Sequence, residues 1–292
     1  MHEKTAPAIR IGQRIGPYRI EGLLGTGGMG RVYLARDYQL RRTVAIKFVD
    51  QSKKDPQSLR SLLREARLAA ALNHPSICSV HEVGRLGDEP FIVMEHVKGL
   101  SLATVLQRMG ALPIGTAIPY QMQMVDAIAH AHEQQIVHGD LKTSNVMIEP
   151  AGRVKILDFG LAIERSLPRS DEALIETTAV VPSSSRAGTV PYMAPELLRG
   201  READVHSDIW AMAVVLFEML AGFRPFRGGT MYELAAHILS NEPVAFSPLI
   251  PPSVRRVIDR CLLANPHERY QSAEEFGEAL DRVRWQWQSF AV

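Results

Sequence analysis

The stretch "VHGDLKTSNVMI", Val137 to Ile148, places several polar side chains directly before a short apolar run. Asp140, Lys142 and Asn145 lie close together in it, and a glycine, Gly139, precedes the Asp. A carboxylate can accept a proton from a hydroxyl group, whereas an amide oxygen is a hard ligand that suits Mg²⁺. The stretch therefore predicts a loop that carries chemistry, followed by a β-strand.

The segment "KILDFGLA", Lys155 to Ala162, extends this prediction because an acid, Asp158, ends a second apolar run. Two such strands can pair as a hairpin and bring Asn145 and Asp158 together. An Asn oxygen and an Asp carboxylate suit Mg²⁺, which keeps some of its waters and also takes phosphate oxygens. Asp140 would then remain free to accept the proton of a hydroxyl group.

Two motifs upstream, "GTGGMGRV" (Gly25–Val32) and "VAIK" (Val44–Lys47), indicate phosphate binding. Glycines allow backbone N–H groups to approach a phosphate closely because no Cβ intervenes. A strand rather than a helix follows the glycines, and the sequence lacks the Gly-Lys-Ser/Thr ending of a Walker A loop. Lys47 is either an edge lysine or a phosphate-binding cation, and Glu65 is its candidate ion-pair partner.

The hydrophobic periodicity predicts a β-rich region followed by an α-rich region. Alternation predicts strands at Tyr18–Leu24, Arg31–Asp37 and Thr43–Val49, within "SICSVHEVGRL" and "PFIVMEHV", and near 146–149 and 154–157. Helical periods occur at Ser58–Asn73, Leu102–Met109, Ile114–Gln135, Ser207–Ala221, Tyr232–Ser240, Pro252–Leu263 and Ala273–Trp287. The first sixteen residues look like a loose arm. This order predicts an α+β protein of two lobes with a hinge at Glu95–Gly99.

The bulk composition excludes several classes of protein. A net charge of +1, from 33 basic and 32 acidic residues, gives no drive toward nucleic acid or an anionic membrane. The two cysteines exclude a disulfide framework and favour a reducing, cytoplasmic compartment. The most hydrophobic run, Ile209–Phe223, is short for a membrane span and carries Glu218, so it predicts a buried core helix. The chain is expected either to be cytoplasmic itself or to be the cytosolic domain of a longer, membrane-anchored protein.

Taken in order, the Gly-rich loop, "VAIK", "HGDLKTSN", "DFG" and "APE" resemble the eukaryotic-type (Hanks-type) protein kinases over roughly residues 18 to 285. "DLKTSN" is similar to the serine/threonine class, and "YRIEGLLGTGGMGRVYLARD" is most similar to bacterial members. The resemblance implies the bilobal protein kinase fold, with a β-rich N-lobe that has one main helix and a mostly α-helical C-lobe. The implied domains are an arm at 1–17, the N-lobe at 18–97, the C-lobe at 98–285 and a tail at 286–292.

The resemblance also implies ATP and Mg²⁺, with Mn²⁺ as an alternative ion, and protein substrates with Ser/Thr hydroxyls. The implied catalytic residues are Asp140 as base, Lys142 at the γ-phosphate, and Lys47 at the α- and β-phosphates, held by Glu65. Asn145 and Asp158 would bind the metal. The implied nucleotide-binding residues are Leu24, Gly25, Thr26, Gly27, Gly28, Met29, Gly30, Arg31, Val32, Ala45, Lys47, Met94, Glu95, Val97 and Met147.

Three further residues have structural roles in the resemblance: Glu196 of "APE" would pair with Arg269, and Asp208 would anchor the catalytic-loop backbone. Two other functions stay open. A pseudokinase would bind nucleotide as a scaffold without phosphoryl transfer, and a small-molecule kinase would phosphorylate a metabolite or drug. All the polar residues of the reaction are present, which disfavours the first, and the intact "APE" segment disfavours the second.

The chain departs from the family at Gly139, where most members have an Arg. In those members a phosphate on the activation loop neutralises that Arg and orders the loop. We therefore expect activity to depend less than usual on phosphorylation between Asp158 and Glu196, although autophosphorylation in this segment is itself expected. The candidate acceptors are Ser166, Ser170, Thr177, Thr178, Ser183, Ser184 and Ser185. The family also includes homodimers that pair through the N-lobe, and the sequence leaves the oligomeric state open.

Overall fold

A computed structural model describes residues 9–27, 30–49, 66, 69–87, 89–159, 188–246 and 250–288. Several predicted residues lie outside these ranges, namely Gly28, Met29, Glu65 and every candidate phosphoacceptor from Ser166 to Ser185. The chain divides into two compact units, the first made of Met1–Ala66 and Ser79–His96, the second of Arg67–Cys78 and Val97–Val292. The change of unit after His96 falls beside the predicted lobe boundary, whereas residues 67–78 group with the second unit.

The first unit contains a six-stranded antiparallel sheet in the order β1-β2-β3-β4-β6-β5. Its strands are β1 (Arg14–Ile15), β2 (Tyr18–Gly27), β3 (Gly30–Asp37), β4 (Arg42–Val49), β5 (Val80–Leu86) and β6 (Glu89–Glu95). Every strand predicted by alternation in this region is confirmed. One face of the sheet carries the core of the unit, in which Tyr33, Ile46 and Val93 pack with residues of β2. Of the helix predicted at Ser58–Asn73, the described residues 66 and 69–71 are helical.

The segment before β2 differs from the predicted loose arm. Ile9 and Ile15 are buried in the core of the first unit. β1 pairs with β2, and Gly12 N donates a hydrogen bond to Ile20 O at 2.8 Å. A two-residue strand is too short to produce a detectable alternation, so the prediction was wrong for residues 9–16.

The second unit is mostly helical. Its α-helices are α1 (Leu102–Met109), α2 (Ile114–Glu133), α3 (Pro195–Leu198), α4 (Val205–Ala221), α5 (Met231–Leu239), α6 (Pro252–Cys261) and α7 (Ala273–Gln288). α4 is buried along nearly its whole length, as predicted for Ile209–Phe223. Asp204 caps its first turn, and Gly222 ends it with a left-handed φ of 76° that a β-carbon would strain. Among the described residues, no helix combines the length and apolar character needed to cross a membrane.

A small antiparallel sheet in the second unit positions the loop quoted above. Its order is β7 (Leu100–Ser101), β8 (Val146–Ile148) and β9 (Val154–Ile156). β8 and β9 form the hairpin that the two apolar runs predicted. β7 was not predicted, because two residues again carry no periodic signal. The loop from Val137 to Asn145 therefore runs directly into β8, which is paired with β7 on one side and with β9 on the other.

Candidate active site

In the first unit, strand register places the predicted nucleotide-binding side chains on one face of the sheet. Val32 pairs with Lys47, and Ala45 pairs with Met94. Residues two apart along a strand share a face, so these four side chains lie on the same side. That side is opposite to the core of the unit. Lys47 is only 4% exposed, which argues against the edge lysine that a single sequence motif left open.

The glycine-rich segment forms the end of the β2–β3 hairpin. Gly25 pairs with Val32, and Gly27 pairs with Gly30. A β-carbon added to Gly25 would meet no atom within 4 Å, so its backbone is open to a ligand. Leu24 beside it is 48% exposed. The backbone at Gly25 is therefore accessible, as phosphate binding by main-chain N–H groups requires.

Glu95 and Val97, which are predicted to contact adenine at the end of β6 and just after it, lie in different units. Glu95 ends β6, and its N–H donates to Ser79 O at 2.9 Å within the first unit. Val97 is buried in the second unit. Met147 is the central residue of β8, between its partners Ser101 and Lys155.

In the second unit, the catalytic-loop candidates form a connected polar cluster around Asp140. Lys142 Nζ donates to Asp140 Oδ2 at 2.7 Å and to Thr189 Oγ1 at 2.9 Å. Asn145 Nδ2 donates to the backbone oxygen of Asp140 at 2.9 Å and to its Oδ2 at 3.3 Å. The other carboxylate oxygen of Asp140, Oδ1, is buried and has no hydrogen-bond partner among the described residues. A buried acceptor without a donor is costly in a folded protein, so Oδ1 is a candidate position for a ligand group or an ordered water.

The backbone of this loop is anchored by Asp208, at the start of α4. Its carboxylate accepts from His138 N at 2.8 Å and from Gly139 N at 2.9 Å, as predicted. The Nε2 atom of His132, on α2, also lies 2.8 Å from Asp208 Oδ2. This contact of His132 was missed, because nothing in a helical histidine indicates a partner 76 positions away.

Gly139 adopts a left-handed conformation with a φ of 69°. This region strains any residue that has a β-carbon. The two N–H groups that donate hydrogen bonds to Asp208 belong to this turn, so the conformation of the turn decides where Asp140 is placed. Because a glycine has no β-carbon, it adopts this left-handed conformation without strain.

The β8–β9 hairpin positions the two predicted metal ligands, Asn145 and Asp158. Leu157 N donates to Asn145 O at 2.8 Å, so Asp158 comes directly after the residue that pairs with Asn145. Asp158 has a φ of 58°, an uncommon conformation for a residue with a side chain. Because both Nδ2 contacts of Asn145 go to Asp140, the amide oxygen is the atom left to bind a cation. These donors fit Mg²⁺, which needs few protein ligands when phosphate oxygens and waters complete its shell.

A comparison with known protein families identifies the family to which this chain belongs. The model of the protein kinase domain matches residues 18–279. The chain is a protein kinase domain. The matched segment contains the glycine hairpin, Lys47, the Asp140 cluster and the Glu196 region.

Bacterial serine/threonine-protein kinases are among the relatives of this kinase domain. It is 38% identical over 270 residues to PrkC of Bacillus subtilis, covering 91% of this chain and 40% of the relative. It is 38% identical over 282 residues to PknA of Mycobacterium tuberculosis, covering 94% and 63%. It is 36% identical over 280 residues to PknB of Mycobacterium leprae, covering 91% and 43%. The chain therefore spans less than two thirds of the length of each of these relatives.

The kinase domain contains a second buried ion pair, between Glu196 and Arg269, that confirms the predicted pairing. Arg269 Nη1 donates to Glu196 Oε1 at 2.7 Å, and Nη2 donates to Oε2 at 2.8 Å. Its remaining donors go to the carbonyl oxygens of Leu263, His206 and Ala264. The guanidinium lies 4.9 Å from the ring centre of Trp210. Arg269 has no exposed surface, so the pair joins three segments of the unit as a structural element.

A buried chain of hydroxyl contacts in the kinase domain was missed by the sequence analysis. Thr143 Oγ1 lies 2.8 Å from the hydroxyl of Tyr192, which donates to Glu218 Oε2 at 2.5 Å. Burial raises the pKa of the Glu218 carboxyl, although the hydrogen bond from Tyr192 opposes that shift. Burial also raises the pKa of the Tyr192 phenol. The chain joins the catalytic loop to α4, the helix that also holds it through Asp208.

Proposed function

We propose that this kinase domain transfers the γ-phosphate of ATP to serine and threonine hydroxyls of protein substrates. The observation that carries the proposal is the buried Oδ1 atom of Asp140, which has no partner among the described residues although Lys142 and Asn145 occupy Oδ2. One carboxylate oxygen is held in place and the other is available for a hydroxyl proton. The names of the relatives, all serine/threonine-protein kinases, support the same activity.

In the proposed reaction Asp140 Oδ1 accepts the proton of the substrate hydroxyl, while Lys142 remains hydrogen-bonded to Oδ2 and neutralises charge beside the transferred phosphate. Lys47 binds the α- and β-phosphates, supported by Glu65. The glycine hairpin from Leu24 to Val32 covers the phosphates, and Ala45, Met94, Glu95, Val97 and Met147 bind adenine. Mg²⁺ held by Asn145 and Asp158, with Mn²⁺ as an alternative, would neutralise phosphate charge. Phosphoryl transfer of this kind depends mostly on positioning and electrostatics.

A radiolabel-transfer assay tests the proposal. The chain is incubated with γ-labelled ATP, Mg²⁺ and a generic protein acceptor, and compared with Asp140→Asn. Removing a general base is expected to reduce transfer by about 10²–10⁴-fold. Glu202→Gln, a change of the same kind at an exposed acid, is the control and should keep the wild-type rate. Equal transfer by wild type and Asp140→Asn would favour the scaffold function, and labelling of only small molecules would favour the third function.

Gly139 leads us to a finer proposal on regulation. The turn that carries Asp140 is held by Asp208 and has no arginine that a loop phosphate could neutralise. We infer that the enzyme keeps most of its turnover after treatment with a phosphatase. A loss of more than about a hundredfold, roughly 2.7 kcal/mol of barrier, would overturn the inference. Mass spectrometry of the untreated chain would show whether it phosphorylates any of the acceptors between Ser166 and Ser185.

We also propose the lobe bounds 18–97 and 98–285 and a cytoplasmic location. The chain has only two cysteines, Cys78 and Cys261, which is too few for a disulfide framework and fits a reducing compartment. Limited proteolysis tests the bounds, because cleavage that leaves the kinase active should fall outside residues 18–285. Cell fractionation tests the location, and recovery of the kinase domain outside the cytoplasm would contradict it.

A further inference from the structure

A groove of about 470 Å³ lies between α6 and α7, the last two helices described in the kinase domain. Its lining residues on α6 recur at intervals of three and four, from Ser253 to Arg260, and those on α7 do the same from Ala279 to Val283. Residues at this spacing share one face of a helix. The groove is thus formed by one face of each helix together with Tyr270, and none of the proposed catalytic residues that the structure describes lines it.

The groove is strongly basic. Three of its lining residues are arginines, Arg256, Arg260 and Arg282, and none of the lining residues that the structure describes is acidic. Arg260 pairs with Glu275 at 3.0 Å and lies over the ring of Tyr270, 4.2 Å from its centre. Arg256 and Arg282 make no ion pair in the described part of the chain. Two positive charges of the groove therefore have no ion-pair partner among the described residues, whereas the whole chain has a net charge of only +1.

Two of these arginine side chains already make contacts that restrict their conformation before any ligand binds. Arg282 Nε donates to the carbonyl oxygen of Glu278 at 3.2 Å, which leaves its two terminal nitrogens for another acceptor. Arg260 is fixed by its ion pair and its ring contact. A guanidinium that is already ordered loses less side-chain entropy when it binds an anion.

The start of α6 adds a further set of donors. Ser253 lies in the first turn of this helix, which begins after Pro251 with no side-chain hydrogen bond to cap it. The first N–H groups of a helix have no partner within the helix and carry partial positive charge. Ser253 lines the same groove as the arginines. The end of the groove near Ser253 is therefore suited to an anion for a second, independent reason.

We propose that the α6–α7 groove binds a peptide that carries phosphothreonine or phosphoserine, with apolar residues beside the phosphate. Guanidinium groups match a phosphate monoester with paired hydrogen bonds, and arginine clusters recognise phosphopeptides in this way. Val257, Ala279 and Val283 form the mostly buried floor of the groove beside the arginines, and a peptide can contact both, which a bare phosphate cannot. The proposal rests on the proposed function in one respect: phosphopeptides are the product of the reaction.

The sequence of this chain contains a segment with the required chemistry. "IETTAVV", Ile175 to Val181, places two threonines between an acid and three small apolar residues. When it is phosphorylated on a threonine, a second copy of the chain would present both the charge and the apolar side chains that the groove accepts. The groove would then hold a phosphorylated partner copy through residues other than those proposed to transfer the phosphate.

Fluorescence anisotropy tests the proposal with a synthetic peptide of residues 172–185 that carries phosphothreonine at 178. The chain is expected to bind this peptide at least about tenfold more tightly than the unphosphorylated peptide, and less tightly as salt rises. Arg256→Ala with Arg282→Ala should remove the preference for the phosphorylated form. Arg256→Lys with Arg282→Lys should keep part of it, since lysine retains charge without the paired geometry.

The control removes the same charge from two exposed arginines elsewhere, with Arg85→Ala and Arg108→Ala, and should keep the full preference. Retention of the preference by the double alanine variant of the groove would overturn the proposal. Displacement of the peptide by equimolar inorganic phosphate would also overturn it, because the site would then recognise phosphate alone. The peptide is made chemically, so its binding does not depend on kinase activity, and phosphate transfer by the groove variant should equal that of wild type.

Discussion

Two ion pairs of the kinase domain, each with a buried carboxylate, differ in how completely their polar atoms are satisfied. In the pair of Glu196 and Arg269, both carboxylate oxygens receive a guanidinium nitrogen, and the other donors reach carbonyl oxygens. In the pair of Asp140 and Lys142, one carboxylate oxygen is left without a described partner. Removing one partner of a fully satisfied buried pair leaves an uncompensated charge and destabilises the fold, whereas a buried oxygen without a donor costs free energy until a water or a ligand reaches it. The comparison favours a structural role for the first pair and supports the catalytic role that we propose for the second.

Breaking the satisfied pair is expected to have the largest effect on stability. Glu196→Gln leaves the buried guanidinium of Arg269 without its counter-charge and should lower the free energy of unfolding by about 3–5 kcal/mol. The melting temperature should fall by about 6–20 °C in a thermal-shift experiment. Glu202→Gln, at an exposed acid, is the control and should melt like wild type. A melting temperature of Glu196→Gln within the error of wild type would contradict the structural role.

Changing the cation of the incompletely satisfied pair should affect rate rather than stability. Lys142→Met removes the donor that holds Asp140 Oδ2 and Thr189 Oγ1, so kcat should fall about a hundredfold, roughly 2.7 kcal/mol. Thr189→Val removes only the second of these contacts and should cost less than about tenfold. Initial rates at saturating ATP measure both. A larger loss in Thr189→Val than in Lys142→Met would show that the threonine, not the lysine, positions Asp140.

The sequence predicted which polar residues of this candidate site lie close together along the chain. Asp140, Lys142 and Asn145 lie on one short loop, and the β8–β9 hairpin that positions Asp158 follows from alternation of apolar residues. The contacts that hold the loop could not be predicted in the same way. His132 reaches Asp208 across 76 positions, and Tyr192 reaches Thr143 across 49. Such contacts depend on how helices pack, which periodicity within one segment does not contain.

The same limit applies to the fold. Long elements with many apolar positions, such as α2 and α4, were predicted within two residues of their observed ends. β1 and β7 have two residues each and were missed. The α6–α7 groove could not be predicted from the sequence either. The arginines on each helix look like ordinary solvent-exposed residues until the two helices are placed together.

The turn at Gly139 offers a smaller test of the same distinction. Gly139→Ala puts a β-carbon at a φ of 69° and should lower stability by about 1 kcal/mol. It should also slow phosphate transfer, because the turn carries both N–H groups that Asp208 accepts. Gly152→Ala, at a φ of 76° in the turn between β8 and β9, is matched in strain. It should show the stability loss in thermal melting without the loss of rate. Equal rates in the two variants would exclude a role of the Gly139 turn in positioning Asp140.

The smallest effect is expected at Glu218, where the test is pH dependence. Burial raises the pKa of its carboxyl in the folded state. Between the usual and the raised pKa the folded protein binds more protons than the unfolded chain, so the contribution of Glu218 to stability falls as pH rises through that window. Glu218→Gln mimics the protonated form. On the alkaline side of the window it should match or exceed wild-type stability, by up to about 1 kcal/mol.

Denaturant unfolding at several pH values measures this difference. The advantage of Glu218→Gln should vanish on the acid side of the window. A variant that is less stable than wild type on the alkaline side would contradict the raised pKa. It would indicate that the Tyr192 hydroxyl needs a charged acceptor.

The most direct test of the distinction compares Asp140→Asn with Glu196→Gln in one experiment. Phosphate transfer is measured per folded molecule, with the folded fraction taken from thermal melting of the same samples. Asp140→Asn should keep the wild-type melting temperature and lose about 10²–10⁴-fold in transfer. Glu196→Gln should melt lower and, while folded, transfer phosphate at nearly the wild-type rate. The opposite pattern, with Asp140→Asn unfolding and Glu196→Gln inactive while folded, would contradict the assignment of chemistry to the first pair and stability to the second.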